Sequence, residues 1–249
     1  MSHPENKERG IVVMKKLLLF AVVIIGLMVS SCSKSYDESI SEGTELIKAE
    51  KYQEALELFD NAIEKAETDA QSIAAKINAA NLSSMYLRDM ELADSYFQST
   101  LDNVGNYSPT DLLDLARQAL SVQANKASVN MFKLWLEKYS DNPDVINVRY
   151  ELAEVFHKNV RDLRGAISAY GEIVEEYPET EQAPKALFSI GYIYANELGE
   201  NEPATTAYSK FLEKYPDHEM APSVEFELKY LGKTLEEIPE LQHLLTKTS

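Results

Sequence analysis

The chain has 249 residues, 45% hydrophobic and 26% charged, with only 9 Gly and 9 Pro; that is enough for two ordinary domains or one repeat array, and it excludes wholesale disorder. Lys and Arg number 24 against 41 Asp and Glu, a net charge of −17, so the body is repelled by phosphate backbones and anionic headgroups, and nucleic acid is not an expected partner. Cys32 is the single cysteine, which excludes an intrachain disulfide and leaves a Cys-based metal site without a second thiolate.

Lys15-Lys16 opens an uncharged stretch whose apolar part, residues 17–29, runs into Val29-Ser30-Ser31-Cys32. A basic start, an apolar middle and small residues before a cut make residues 1–31 a secretory signal. The apolar run falls short of the ~20 residues a helix needs to cross the hydrocarbon core, so an uncleaved anchor is the weaker reading. The ending resembles the lipobox of bacterial lipoproteins. That resemblance implies that Cys32 becomes the first mature residue and carries a thioether diacylglycerol and an N-acyl (palmitate-type) chain. Two or more chains hold a protein stably, at about 0.8 kcal/mol per buried CH₂. Ser33 stands where an aspartate would favour inner-membrane retention, so the resemblance implies the outer membrane, facing the periplasm. Met14 is the expected biological start, with residues 1–13 an extension, and residues 32–38 form a lipidated tether.

From residue 39 to residue 233 the chain repeats itself. Ala169-Tyr170-Gly171-Glu172-Ile173-Val174-Glu175-Glu176-Tyr177-Pro178 returns as Ala207-Tyr208-Ser209-Lys210-Phe211-Leu212-Glu213-Lys214-Tyr215-Pro216. Four columns extend this echo over the chain at spacings of 38, 35, 38 and 38 residues. The first is small (Ala55, Ala93, Ser128, Ala166, Ala204) and the second aromatic (Phe59, Phe97, Phe132, Tyr170, Tyr208). The third is Ala62, Thr100, Trp135, Ile173 and Phe211, and the fourth Ile63, Leu101, Leu136, Val174 and Leu212. Their mutual offsets put all four on one helix face. A period of this size with two helices per unit predicts an all-α solenoid of about five stacked hairpins. The small residue lets helices approach, and the aromatic is expected to fill the gap to the next hairpin, each burial contributing roughly 1.5–3 kcal/mol.

The first hairpin pairs residues 39–49 with 52–66, and the later first helices fall near 69–87, 110–123, 143–157 and 181–196. Ser108-Pro109-Thr110-Asp111 combines an N-cap, a first-position proline and an acid three residues on. Thr180 is expected to cap the fifth unit's first helix, and Gly105 and Gly199 to stop their segments. Residues 221–231 open a sixth, incomplete unit. Thr234-Leu235-Glu236-Glu237 is a capping-box pattern that starts a last amphipathic piece, residues 234–249, with Leu235, Ile238, Leu241, Leu244 and Leu245 covering the apolar end of the array.

These columns are similar to the tetratricopeptide repeat (TPR), and Pro178, Pro216 and Ala186-Leu187-x-x-x-Gly191-x-x-Tyr194 match its turn and first-helix pattern. The resemblance covers about residues 39–231 and departs at Asn81, where glycine is usual, and at Ser140, where the turn proline is missing. It implies a right-handed superhelix with a concave groove for peptides or proteins. Carried over by family register, groove positions fall on Asn78, Arg117, Glu151, Lys158, Tyr192 and Asn196. The Tyr-Pro turn with Thr-x-x-Ala-Pro-x-Ala and a lipobox also resembles lipoproteins of the β-barrel assembly machinery (BamD-like) and repeat proteins of the Tol–Pal and cell-division systems (YbgF-like). No two-lysine, two-asparagine clamp for a carboxylate terminus is present.

No His-Glu-x-x-His, glycine-rich phosphate loop or Gly-x-Ser-x-Gly occurs, so neither an enzyme nor a cofactor or metal is expected. His157 reads as a helix-end cation, Asp141-Asn142-Pro143-Asp144 as a turn and cap rather than a calcium loop, and Trp135 as core. Glu175-Glu176 and Glu197, Glu200 and Glu202 read as solvated faces. The chain is thus expected to be a non-catalytic scaffold for envelope proteins, membrane-bound through Cys32, with no small-molecule substrate; the alternative is a glycan-binding envelope lipoprotein, which 14 tyrosines permit.

Overall fold

The computed structural model describes residues 34–102, 107–234 and 237–238. Among them the chain is entirely helical. Helix α1 spans Tyr36–Lys48, α2 Tyr52–Lys65, α3 Asp69–Leu82, α4 Met90–Thr100, α5 Pro109–Ser121 and α6 Asn125–Lys138. Then come α7 Val145–Glu154, α8 Leu163–Glu176, α9 Gln182–Tyr192, α10 Asn201–Lys214 and α11 Ala221–Tyr230. Consecutive helices pair into five hairpins, α1–α2 to α9–α10, and α11 lies on α10 as half of a sixth. No helix of the described residues is long and apolar enough to cross a membrane; residues 17–29 and Cys32 lie outside them, as do Gly105 and most of the terminal piece.

The repeat columns form the core. Every member of the small, aromatic and third columns is buried, from Ala55, Phe59 and Ala62 to Ala204, Tyr208 and Phe211. The fourth is buried at Val174 and half-buried elsewhere. The aromatic, however, first meets its own hairpin rather than the next. A Cβ built on Gly43 would stand 2.8 Å from Phe59, and one on Gly191 would stand 2.6 Å from Cδ1 of Tyr208. By the same register counted back from each ring, the corresponding residues of the other units are Ala80, Ala116 and Ala153, all fully buried and in the clusters that hold Phe97, Phe132 and Tyr170. So the small position of the second unit falls on Ala80 rather than Asn81, with alanine in place of glycine.

The reason for that one-residue difference is a π-helical turn. Helices α3, α7 and α9 each run on into one, at Ser83–Leu87, Val155–Val160 and Ile193–Leu198, and each inserts one residue before the hairpin turn. Helices α1 and α5 end without it. All five hairpin turns then pass through a left-handed residue: Glu50, Arg88, Gln123, Arg161 and Gly199, with φ between 59° and 69°. Where the π turn is absent, the following N–H closes on the carbonyl five residues back (Lys51 to Leu46, Ala124 to Ala119), the helix-ending motif glycine usually serves. Where it is present the ring is one residue wider, as in Asp89 to Ser83, Asp162 to Phe156 and Glu200 to Tyr194.

Helix starts follow local side-chain chemistry. Ser108 and Asp111 cap α5 reciprocally, as expected, and Ser35 with Glu38 does the same for α1. That second capping box starts α1 at Tyr36, three residues before the expected start of the array at 39. Thr68, Asp89 and Asp162 cap α3, α4 and α8. Thr180 does not cap α9; its hydroxyl donates back to the Tyr177 carbonyl instead. At the end of the array the Thr234 N–H donates to Glu237 Oε2 and Ile238 is buried.

Two edges hold the stack together. On the hairpin-turn edge, Ser84 donates to the Val122 carbonyl and Asn125 to that of Asn159. On the opposite edge, Tyr139 donates to the Tyr107 carbonyl at 2.5 Å and Tyr215 to that of Pro178 at 2.9 Å. Trp135, a core residue as expected, also donates its indole N–H to the Pro109 carbonyl. Tyr215 of the Tyr-Pro echo, and Tyr139 at the equivalent position two repeats earlier, therefore tie one turn to the turn before it.

Candidate functional site

The six expected groove residues all belong to first helices or to the π turns that continue them. Arg117 of α5 and Glu151 of α7 come together: Nε and Nη2 donate to Oε1 and Oε2, both at 2.8 Å. This bidentate pair, the strong geometry for guanidinium and carboxylate, raises the Arg117 pKa above its ordinary value. It makes these two residues a clasp between the third and fourth hairpins rather than free recognition groups. One step further, Gln182 donates to Asn147 across α9 and α7. Asn78 is half-buried on α3, away from the others. Asn196, exposed on the π turn after α9, donates to the Tyr192 carbonyl.

Lys158 and Tyr192 share a hollow of about 400 Å³ between α7 and α9. It is lined by the rings of Tyr150, Tyr170, Phe188 and Tyr192, by Ser189 and Met220, and by Glu154 alongside the lysines. Tyr192 is 41% exposed and lies 6.4 Å from the Phe188 ring. Burial pushes the hydroxyls of Tyr150 and Tyr170 above the ordinary tyrosine range, so both stay protonated donors at neutral pH. Lys158 pairs with Glu154 and Lys185 with Glu181, each one helical turn away. A ring platform beside ammonium groups suits a side chain with an apolar body and a polar tip.

A second hollow on the same face, of about 560 Å³ between α3 and α5, is lined by Ile73, Ile77, Leu115 and Tyr107 with Asp69, Asp111 and Asp114. The face made by the second helices has its own hollow of about 420 Å³ between α8 and α10, lined by Ile167, Val174, Tyr194 and Pro203 and by both Glu175 and Lys210.

His157 and Glu197 depart from expectation. His157 is buried on the π turn after α7, where its Nε2 pairs with Glu197 of the next π turn. Glu197 also pairs with Arg161 at 2.6 Å, and its side chain is only 14% exposed. Burial works to raise the Glu197 pKa, but the hydrogen bonds from His157 and Arg161 outweigh it and the value falls below the ordinary range. Glu197 is thus a largely enclosed anchor between hairpins and not a solvated surface acid, and His157 is its partner more than a helix cap. The sequence signal lies in Arg161 and Glu197 standing at equivalent turns, which helical periodicity does not reveal. Among the described residues no three His, Cys, Asp or Glu side chains gather as a metal site.

Five hairpins stacked through buried small and aromatic columns, presenting a face of first helices, define a helical-repeat solenoid. Residues 185–218, covering most of α9 and all of α10, match the family model described as tetratricopeptide repeat. No curated protein matches the chain. Among solved structures, it is similar to YrrB, described as a TPR protein with an unusual peptide-binding site, at 18% identity over 81% of this chain and 97% of that one, with a TM-score of 0.40. MamA is 16% identical over 70% of this chain and 94% of its own, with a TM-score of 0.38. A tetratricopeptide repeat protein from Parabacteroides merdae ATCC 43184 is 14% identical over 78% and 72%, with a TM-score of 0.39.

Proposed function

We propose that the chain is a non-catalytic scaffold that binds protein segments on its first-helix face and is moored to a membrane through acyl chains on Cys32. The single observation that supports the first half is the α7–α9 hollow, where an exposed Tyr192 stands beside Tyr150, Phe188 and two lysines. A large apolar ring left in the open on an otherwise buried aromatic frame is the kind of anchor interfaces use. Placing a photo-crosslinking residue at Tyr192 in intact cells should give adducts with other envelope proteins; labelling no more frequent than at an exposed second-helix position such as Glu175 would reject the reading.

The mooring rests on the residues Val29-Ser30-Ser31-Cys32 after the apolar run and on the resemblance to a lipobox. In this reading the protein sits on the outer membrane facing the periplasm, and assembly of β-barrel proteins is its sharpest version, with a role beside the Tol–Pal or division machinery the alternative. Mass spectrometry of the mature N-terminus tests it directly. A diacylglyceryl, N-acylated Cys32 is expected, and Cys32→Ser should release the protein from the membrane fraction; an unmodified thiol on a soluble form would end this half alone.

A further inference from the structure

Beyond the five hairpin turns, the described residues contain one more left-handed position, Gly232, with φ 75°. It stands two residues after Tyr230, the end of α11, as Glu50 stands two after the end of α1 and Gln123 two after that of α5. Those are the two units whose first helices end without a π turn, so theirs is the spacing to compare. Eleven residues before the bend, Ser39, Leu112 and Ala221 are all buried. Four before it stand Leu46, Ala119 and Leu228, each buried or half-buried.

Counted forward from the bend, the same spacing runs into the terminal piece. Six residues on come Leu56, Val129 and Ile238, which are 5%, 8% and 7% exposed. Thr234 follows the bend by two residues, where α2 and α6 also begin, and its N–H donates to Glu237 Oε2. Residues 239–249 lie outside the described residues, but their sequence keeps the count. Nine, twelve and thirteen residues beyond Gly232 stand Leu241, Leu244 and Leu245, the places that Phe132, Trp135 and Leu136 hold beyond Gln123. The 38-residue spacing from Ala204, Tyr208 and Phe211 lands instead on Gln242, Thr246 and Ser249. The unit reads as incomplete only because its bend comes five residues sooner than that spacing requires.

We propose that residues 239–249 continue from Thr234 as the second helix of a sixth hairpin, seating Leu241, Leu244 and Leu245 against α11, so that the occupant of that face is this chain itself. Every other first helix lies against the second helix of its own hairpin, whereas among the described residues α11 is paired with α10 of the hairpin before it. The sixth unit differs from the rest at one level. Glu225 stands seven residues before the bend, where Gly43 and Ala116 stand in the first and third units, and Leu241 stands where those units have a ring. The shorter leucine packs along the apolar stem of the glutamate, whose carboxylate stays in water. Met220, the N-cap of α11, lines the α7–α9 hollow, so what holds α11 also holds one side of the candidate site.

Hydrogen-exchange mass spectrometry of the full chain in mild detergent reads this seating at α11. Leu241→Ala and Leu244→Ala should each speed exchange of the α11 amides at least tenfold, while α5 and α6 keep the parent rate and show that the rest of the array is folded. Gln242→Ala and Thr246→Ala should leave α11 unchanged. Leu241→Phe should speed exchange on its own, and adding Glu225→Ala should restore it by more than Glu225→Ala gains alone, since a ring then meets alanine as in the third unit. Leucine variants without effect, equal effects of Gln242→Ala and Thr246→Ala, or no recovery in the Phe/Ala pair would each overturn the proposal. Protection of α11 that falls when the parent is diluted tenfold would make a second copy the occupant, and would overturn it as well.

Discussion

Two glycines in neighbouring helices should respond to the same substitution with opposite signs. At Gly191 an added methyl stands 2.6 Å from Cδ1 and 3.0 Å from Cζ of Tyr208, a ring that is fully buried. The ring cannot swing away, so α9 and α10 must separate by a few tenths of an ångström or more, and overpacking of this kind costs typically 1–3 kcal/mol. Alanine recovers about 0.8–1 kcal/mol of helix propensity, which leaves Gly191→Ala destabilised by about 1 kcal/mol. At Gly171 a Cβ meets nothing within 4 Å, so Gly171→Ala keeps only the propensity gain, about 0.5–1 kcal/mol. In a chain of this size 1 kcal/mol moves Tm by about 2–4 °C, and the two variants should lie about 4–8 °C apart, one on each side of the parent. Thermal unfolding followed by circular dichroism at the helix band measures this. Adding Tyr208→Leu should cost stability in the parent yet recover most of the loss in Gly191→Ala. If both glycine variants rise together, the ring is not wedged against α9 and the assignment of the small first-helix column is wrong.

Glycine at the left-handed turn positions 50 and 123, where Glu and Gln sit at φ 59° and 63°, should stabilise by about 1 kcal/mol each in urea unfolding, whereas Arg161→Gly should not gain, because it removes the pair with Glu197. Tyr139→Phe and Tyr215→Phe each lose a hydroxyl-to-carbonyl bond between turns and should cost about 0.5–1.5 kcal/mol; Tyr208→Phe removes a buried hydroxyl with no partner among the described residues and should be neutral or stabilising. Because the folded-state pKa of Glu197 lies below its ordinary value, its contribution is present above the ordinary carboxylate range and lost as pH falls through the depressed value. Glu197→Gln should therefore flatten the decline in Tm with acidification, and an unchanged acid profile would contradict the His157–Glu197–Arg161 arrangement.

The fold was legible because its strongest signal is a face. Positions five, nine and twelve residues beyond each left-handed turn hold the small, aromatic and third-column residues, and the chain reuses that spacing without drift through α2, α4, α6, α8 and α10. The first helices were harder to align. One inserted π residue in three of the five leaves the hydrophobic period nearly intact while sliding the small position from Asn81 to Ala80. Ser35 and Glu38 were overlooked as a capping box since no apolar run announces α1 until Ile40. On the candidate site, Lys158 and Tyr192 share a hollow and Arg117 meets Glu151, but mutual pairing of the latter two is a fact of neighbouring helices that a single-helix register does not contain. Glu197 was misread for the same reason: a carboxylate on a polar-looking turn is solvated or sealed depending on what the adjacent hairpin sends toward it.

The five left-handed turns have one further consequence. Since each second helix takes its alignment from the bend directly before it, and not from the length of chain leading in, the natural cutting marks of this protein are those bends. Joining Gln123 directly to Asp162 would excise a whole module and bring a residue that already opens a second helix behind a bend of the required hand. Such a shortened spool would set the ring of Tyr170 against Ala116 in place of Ala153, one small residue for another, and lengthening by duplication between the same marks follows the same logic.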